Sequence, residues 1–365
     1  MLSARHGRGR AQRGKTKSDA FHSHVRAPCI RWYIKMNGDR LPDFFIVGAP
    51  KCGTTALYKY LFSHSRIFLP SLKEPHYFLE DIFVQGAVLS LRDYLDLFKN
   101  APPYAMLGEA SVWYFYSDVA IRRIMEVSPA AKIIVILRYP TEAAEALHAH
   151  KVFNLTEDIA NFEEAWNAQT DRAAGQRIPL HCDEPFQLQY AAVYNYPPQL
   201  RRLMEVVPAE QIKVVIYEEF FSDPQRGFAS VLDFLGLPRE GAPPFEPVNA
   251  RRNPGNLWIY RLLAAPPTPF RPALRLAASL SRRFGLRLGR LAALAVAAGG
   301  AGRPVLRSEF RTEIDSHFSD CVSQTEGLLG RAIPAWQAKS ATITLEKELS
   351  GGRAMRSTAK ARQTP

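Results

Sequence analysis

The sequence predicts an α/β domain, three layers deep, with a central parallel β-sheet flanked by helices. Three tracts carry that expectation. Phe44-Phe45-Ile46-Val47 runs into Gly48-Ala49-Pro50-Lys51-Cys52-Gly53 and leaves through Thr54-Thr55-Ala56-Leu57. Lys132 to Leu137 is a β-branched run that stops at Arg138-Tyr139-Pro140. Gln211 to Tyr217 is another, followed by a helical tract that closes at Gly236-Leu237-Pro238. Apolar strands alternating with helix-length segments are what a sheet covered on both faces requires. With 365 residues and 47% hydrophobic content, the chain can fill one large core of this kind or two smaller ones.

The first tract sets the chemistry. Gly48 and Gly53 allow a tight turn, Thr54 and Thr55 are expected to cap the helix and offer hydroxyls, and Ala56, Leu57, Tyr60 and Leu61 give it an apolar stripe. A turn of this kind aims free N–H groups and the positive end of a helix at one point, which suits a phosphate or sulfate. The spacing of Gly48, Gly53 and Thr55 matches the nucleoside-triphosphate loop, but Thr54 stands where that loop needs lysine, and the basic residue is Lys51 inside the turn. Pro50-Lys51-Cys52-Gly53-Thr54-Thr55 instead resembles the 5′-phosphosulfate loop of sulfotransferases that use 3′-phosphoadenosine 5′-phosphosulfate (PAPS). The resemblance extends over about residues 41–336 and implies a P-loop-like fold. It makes Lys51 catalytic and Pro50, Lys51, Cys52, Gly53, Thr54 and Thr55 donor-binding.

The remaining motifs follow in chain order. Ser71-Leu72-Lys73-Glu74-Pro75-His76-Tyr77-Phe78 lies between Pro70 and Pro75, so its ionisable groups belong to a loop. It resembles the glycan and heparan sulfate branch of the family, which implies that Glu74 is the base on an acceptor hydroxyl and Lys73 a second donor contact. His76 is a rival base and a candidate substrate contact. Tyr104 to Gly108 reads as a strand leading to Glu109-Ala110-Ser111, and the resemblance places Glu109 and Ser111 on the acceptor side. The aromatic run Trp113-Tyr114-Phe115-Tyr116 is either packed core, which is favoured, or a sugar-stacking wall.

Arg138, at the carboxyl end of a central strand, sits where open α/β sheets bind ligands, and the resemblance assigns it the donor's 3′-phosphate. The family's next basic residue and serine are replaced by Ala143 and Ala146. His148, His150 and Lys151 are candidates to compensate. Asn161 to Ala173 and Phe186 to Val206 read as two amphipathic helices, with Tyr190 and Tyr194 open to either a core or a site role. Arg251 and Arg252, in a basic polar loop, are further candidates for the donor.

Charge is confined to the flanks. The net charge is +12, yet ten Lys or Arg against two acids fall in residues 1–40, and eight Arg with no acid fall in 261–303. The body between is mildly acidic, so the high net charge is not an argument for nucleic acid. Residues 1–40 are read as a largely disordered basic tail, 41–336 as the sulfotransferase domain and 337–365 as a flexible tail. The 261–303 insertion is read as a solvated helical hairpin or a peripheral contact with an anionic membrane. Four scattered cysteines form no metal-ligand pattern, and no secretion signal or membrane span is evident, so a cytoplasmic enzyme with reduced thiols and no metal is expected. The expected partner is a hydroxyl-bearing acceptor, best a carbohydrate. A phosphotransferase and a catalytically silent anion binder stay open as alternatives.

Overall fold

The computed structural model describes residues 27–240 and 306–339. Helix α1 (Ala27–Asn37) leads into strand β1 (Phe44–Gly48), every residue of which is buried. Helix α2 (Thr54–Phe62) starts directly behind Gly53. Next come β2 (Ile67–Phe68), α3 (Leu91–Asp96), β3 (Met106–Ala110), α4 (Ala120–Val127) and β4 (Lys132–Leu137). Helix α5 (Pro140–Phe153) uses Pro140 in its first turn, where a missing N–H costs nothing. The chain goes on through α6 (Phe162–Asn167), α7 (Gln169–Ala173), α8 (Tyr190–Val193), α9 (Tyr196–Val206), β5 (Ile212–Ile216), α10 (Tyr217–Ser222) and α11 (Pro224–Leu235). Gly236, at φ 77°, closes α11 in the left-handed conformation. Helices α12 (Ser308–His317) and α13 (Ser319–Leu329) and a last helical turn over 334–339 complete the described chain.

All strand pairs are parallel, in the order β2-β3-β1-β4-β5. Strand β1 is therefore central, and the chain first builds the sheet to one side of it and then crosses to the other. That reversal puts the segments leaving β1 and β4 side by side at the carboxyl edge, where ligands of open α/β sheets bind. The core fills both faces of the sheet with residues such as Phe44, Ile46, Leu107, Ile134 and Leu137, all essentially inaccessible. Trp113, Tyr114 and Phe115 belong to it, in agreement with the core reading of the aromatic run.

Four sequence expectations change. Residues 27–37 are not tail: α1 buries Ala27 and Ile30 and packs on α4. Residues 337–339 also belong to the folded body. The helix expected over Phe186 to Val206 is broken into a 3₁₀ turn (Pro185–Leu188), α8 and α9. Pro197 and Pro198 lack the N–H groups that would continue a helix from α8, so they open a new one at its first turn. The third strand begins at Met106, two residues later than expected, and Tyr104 is exposed. Arg251, Arg252 and the 261–303 segment lie outside the described residues.

Beside the sheet, the α6–α8 layer is fixed by a fully buried ion pair. Arg172 donates from both terminal nitrogens to Glu157, at 2.7 and 2.6 Å, and Tyr190 adds its hydroxyl to the same carboxylate at 2.7 Å. Removing one member strands a charge in the interior. Arg172→Met should therefore destabilise the protein by about 3–5 kcal/mol, read as a lower urea midpoint, and Glu157→Gln in the same chain should recover part of the loss.

Candidate functional site

The turn after β1 has the conformation that an anion requires. Lys51 adopts φ 61° and Gly53 φ 92°, and Gly53 is the N-terminal cap residue of α2 with no side-chain cap on the helix. Thr54 and Thr55 are thus the first helical residues, not the caps that the sequence suggested. The first-turn N–H groups they carry have no side chain spent on them and lie at the helix's positive end. Strain at Lys51 is matched by Glu74 at φ 66° and His76 at φ 54°. Non-glycine residues held in this region mark positions that the surroundings dictate.

Two tyrosines hold the turn in place. Tyr194 donates its hydroxyl to the Pro50 carbonyl at 3.0 Å, and Tyr196 donates to the Arg138 carbonyl at 2.9 Å. The Tyr196 oxygen also lies 3.7 Å from the Cys52 sulfur. The Cys52 thiol is buried, and burial pushes it up to about 12, so it stays protonated and serves as packing. The break between α8 and α9 is what brings both hydroxyls here. The sequence weighed Tyr194 without settling its role and missed Tyr196; a tyrosine just before a proline pair was the available signal.

Glu74 is stitched to the end of β3. Its N–H donates to the Ala110 carbonyl at 2.9 Å, and the N–H of His76 donates to the Ser111 hydroxyl oxygen at 3.0 Å. Ser111 in turn donates to Glu109 at 2.6 Å, and Tyr94 donates to the other Glu109 oxygen at 2.6 Å. Glu109 and Ser111 are fully buried, so they brace the Glu74 loop from beneath instead of lining an acceptor surface. Burial raises the Glu109 carboxyl. His76 is buried too, with Nε2 3.5 Å from Glu74, which makes it a companion of Glu74 more than an open substrate contact.

The charges converge. Lys73 is ion-paired with Glu74. Burial raises the Glu74 carboxyl, but the His76 hydrogen bond and the Lys73 charge outweigh it and bring it down to about 2. Burial, with Lys73 and Arg138 nearby, pulls the Lys51 ammonium down, while Glu74 opposes them. Lys51 therefore shares one electrostatic basin with Glu74, Lys73 and Arg138. Arg138 is buried, its guanidinium lies 4.6 Å from the Tyr217 ring centre, and one arm donates to Glu142 at 2.9 Å. Its Nε has no hydrogen-bond partner among the described residues. A buried, unpartnered donor of this kind beside an uncapped helix start fits a bound anion.

Of the three positions expected to compensate for Ala143 and Ala146, His150 sits near Lys51 and Glu74, whose charges act on it, and is 3.0 Å from Asn154; the other two are used elsewhere. His148 is bound to the Ile159 carbonyl at 2.9 Å. Lys151 is engaged by Gln187 and lies 3.7 Å from Glu184. Among the described residues, no group of three or more His, Cys, Asp or Glu could hold a metal ion, and no helix is long and apolar enough to cross a membrane.

Comparison with known proteins gives a consistent picture. The sulfotransferase domain family matches residues 41–248. Human bifunctional heparan sulfate N-deacetylase/N-sulfotransferase 3 is 28% identical over 213 residues, covering 56% of this chain and 23% of that protein. Mouse carbohydrate sulfotransferase 15 is 28% identical over 256 residues, covering 54% of this chain and 44% of the other. The match thus spans less than half the length of either relative. Among solved structures, a sulfotransferase from Alicyclobacillus acidocaldarius superposes with a TM-score of 0.61 at 25% identity, covering 82% of this chain and 99% of that one.

Gly53 has no room for a side chain: a Cβ there would meet the Phe221 ring at 2.7 Å and Tyr217 at 3.1 Å. Gly53→Ala should cost about 1–3 kcal/mol of stability through the combined backbone and packing strain, measured by denaturation. An unchanged midpoint would contradict the packing of this turn.

Proposed function

The chain belongs to the sulfotransferase domain family, and from that premise we propose that it moves a sulfuryl group from PAPS to an acceptor hydroxyl on a carbohydrate or glycoconjugate, by in-line displacement. The observation that carries this reading is the meeting of Lys51, the uncapped start of α2, Arg138 and Glu74 in one basin at the carboxyl edge of the sheet. The carbohydrate acceptor is supported by the relatives, whose names specify heparan sulfate and carbohydrate sulfotransferases.

The donor supplies an activated sulfuryl group whose sulfur–oxygen bond to the 5′-phosphate breaks as the bond to the acceptor oxygen forms. The N–H groups of Gly53 to Thr55 and the two threonine hydroxyls hold the 5′-phosphate, with Pro50, Cys52 and Gly53 shaping the turn, where the Cys52 N–H donates to the Ala49 carbonyl. Lys51 neutralises the charge that collects on the departing phosphate oxygen, a contact strongest in the transition state. Lys73 keeps Glu74 ionised and reaches toward the same donor. Arg138 takes the 3′-phosphate through its guanidinium, whose Nε has no partner among the described residues. Glu74 accepts the acceptor's proton. A carboxylate this acidic is a weak base toward a resting alcohol, but an oxygen that is bonding to sulfur becomes acidic, and its proton then passes downhill. His76, behind Glu74, fixes the carboxylate's direction.

Two outcomes follow. Lys51→Ala should lower turnover by at least about two orders of magnitude, with the fold intact by circular dichroism; full activity would rule out the assignment. Because the Glu74 carboxyl is held at about 2, it is ionised across the working range, and kcat/KM should show no fall attributable to it above pH 4. His76→Asn weakens the hydrogen bond that lowers Glu74, so an acid limb should rise toward the ordinary carboxylate range in that variant.

A further inference from the structure

The donor end of the crevice holds a charge arrangement that sulfuryl transfer itself does not use. Glu142, one helical turn beyond Arg138, has both oxygens engaged. Oε2 accepts from Arg138 at 2.9 Å, and Oε1 accepts from Lys339 at 2.6 Å, with Arg311 3.9 Å away. Lys339 lies in the last described helical turn, nearly two hundred residues further along the chain. It is seated by its neighbours: Trp336 donates its indole N–H to Glu218 at 2.9 Å, and Lys339 itself reaches Glu218 at 3.3 Å. Glu218 also accepts from the N–H of Tyr139, so the C-terminal turn is tied directly to the segment that carries Arg138. On the far side Arg311 faces Glu145 at 3.9 Å and Asp315 at 3.7 Å, which leaves little of its charge for Glu142.

Arg138 thus has an internal anion on one arm and a buried, unpartnered donor at Nε. We propose that Glu142 competes with the donor's 3′-phosphate for Arg138, and that Lys339 relieves this competition by holding Glu142, so that the C-terminal turn sets donor affinity. The inference rests on the reading that Arg138 binds that phosphate. With Oε1 held by Lys339, Glu142 has only Oε2 for Arg138, and the Lys339 charge offsets the carboxylate's repulsion of an incoming phosphate. Without Lys339, Glu142 closes on Arg138, and an incoming phosphate must displace a stronger ion pair. Ala143 and Ala146 offer no polar contact, so Arg138's availability weighs heavily on binding. Lys339 and the phosphate are then linked through Glu142, and each favours the other's engagement.

The test is calorimetric titration of the full chain with 3′-phosphoadenosine 5′-phosphate in four variants. Lys339→Met keeps the aliphatic stem and removes the charge; it should weaken binding by about 5- to 20-fold, within the ordinary range of coupling between sites. Lys339→Arg should bind as the wild type does. Glu142→Gln should bind at least as tightly as the wild type, and Lys339→Met with Glu142→Gln should bind like Glu142→Gln alone. That rescue is the outcome a merely structural lysine would not give. Unchanged affinity in Lys339→Met, or a double variant as weak as Lys339→Met, overturns the inference while leaving the donor site standing. No binding by the wild type overturns the donor reading itself.

Discussion

Like charges have to be kept together at the carboxyl edge of the sheet, and much of the surrounding structure is explained by that constraint. Lys51, Lys73 and Arg138 crowd one basin, and burial there strengthens their repulsion. Two carboxylates offset it, Glu74 toward Lys51 and Lys73, and Glu142 toward Arg138. Neither carboxylate is free to drift. Glu74 is pinned by a backbone hydrogen bond to Ala110 at the end of β3 and backed by His76, and Glu142 is anchored by Lys339. The apolar sheet beneath supplies the rigidity, because β1 and β4 are buried along nearly their whole length.

Backbone shape matters as much as charge. Lys51, Gly53, Glu74 and His76 all sit at positive φ; Glu74 and His76 are held by hydrogen bonds to Ala110 and Ser111, and Gly53 packs under Phe221 and Tyr217. Tyr194 and Tyr196 act on the carbonyls of Pro50 and Arg138, so α8 and α9 fix the separation between the turn after β1 and the segment after β4. The two threonines leave the start of α2 uncapped. A helix start without a side-chain cap is a cost to stability that a bound anion can offset, which is a common feature of sites built for phosphate.

Much of this was legible in the sequence, for identifiable reasons. The strand–turn–helix at 44–57, the strand at 132–137 and the strand–helix tract at 211–238 are local patterns, set by apolar runs, glycine and proline. Lys51 and Arg138 could be singled out because each stands at the end of such a strand, and Glu74 because it lies on a loop between Pro70 and Pro75 that resembles a family motif. What could not be read depends on contacts between distant segments. Nothing near Glu142 announces Lys339, and nothing near Pro50 announces Tyr194. Glu109 and Ser111 differ in the opposite direction: the family resemblance put them on the acceptor side, but both are buried and the hydroxyls of Tyr94 and Tyr114 reach Glu109 in the interior. The helix expected over 186–206 failed at Pro197 and Pro198, a signal that was present in the sequence and outweighed by the helical periodicity around it.

The account stands on one claim, that the basin between Lys51 and Arg138 takes a 3′-phosphorylated adenosine nucleotide. Calorimetric titration of the wild type and of Arg138→Ala with 3′-phosphoadenosine 5′-phosphate, beside magnesium–ATP, addresses it most directly. The account predicts saturable binding of the bisphosphate, weakened at least about tenfold by Arg138→Ala, in keeping with loss of a charged hydrogen-bonding contact, and no comparable binding of magnesium–ATP. Preference for magnesium–ATP, or bisphosphate binding indifferent to Arg138, would contradict it.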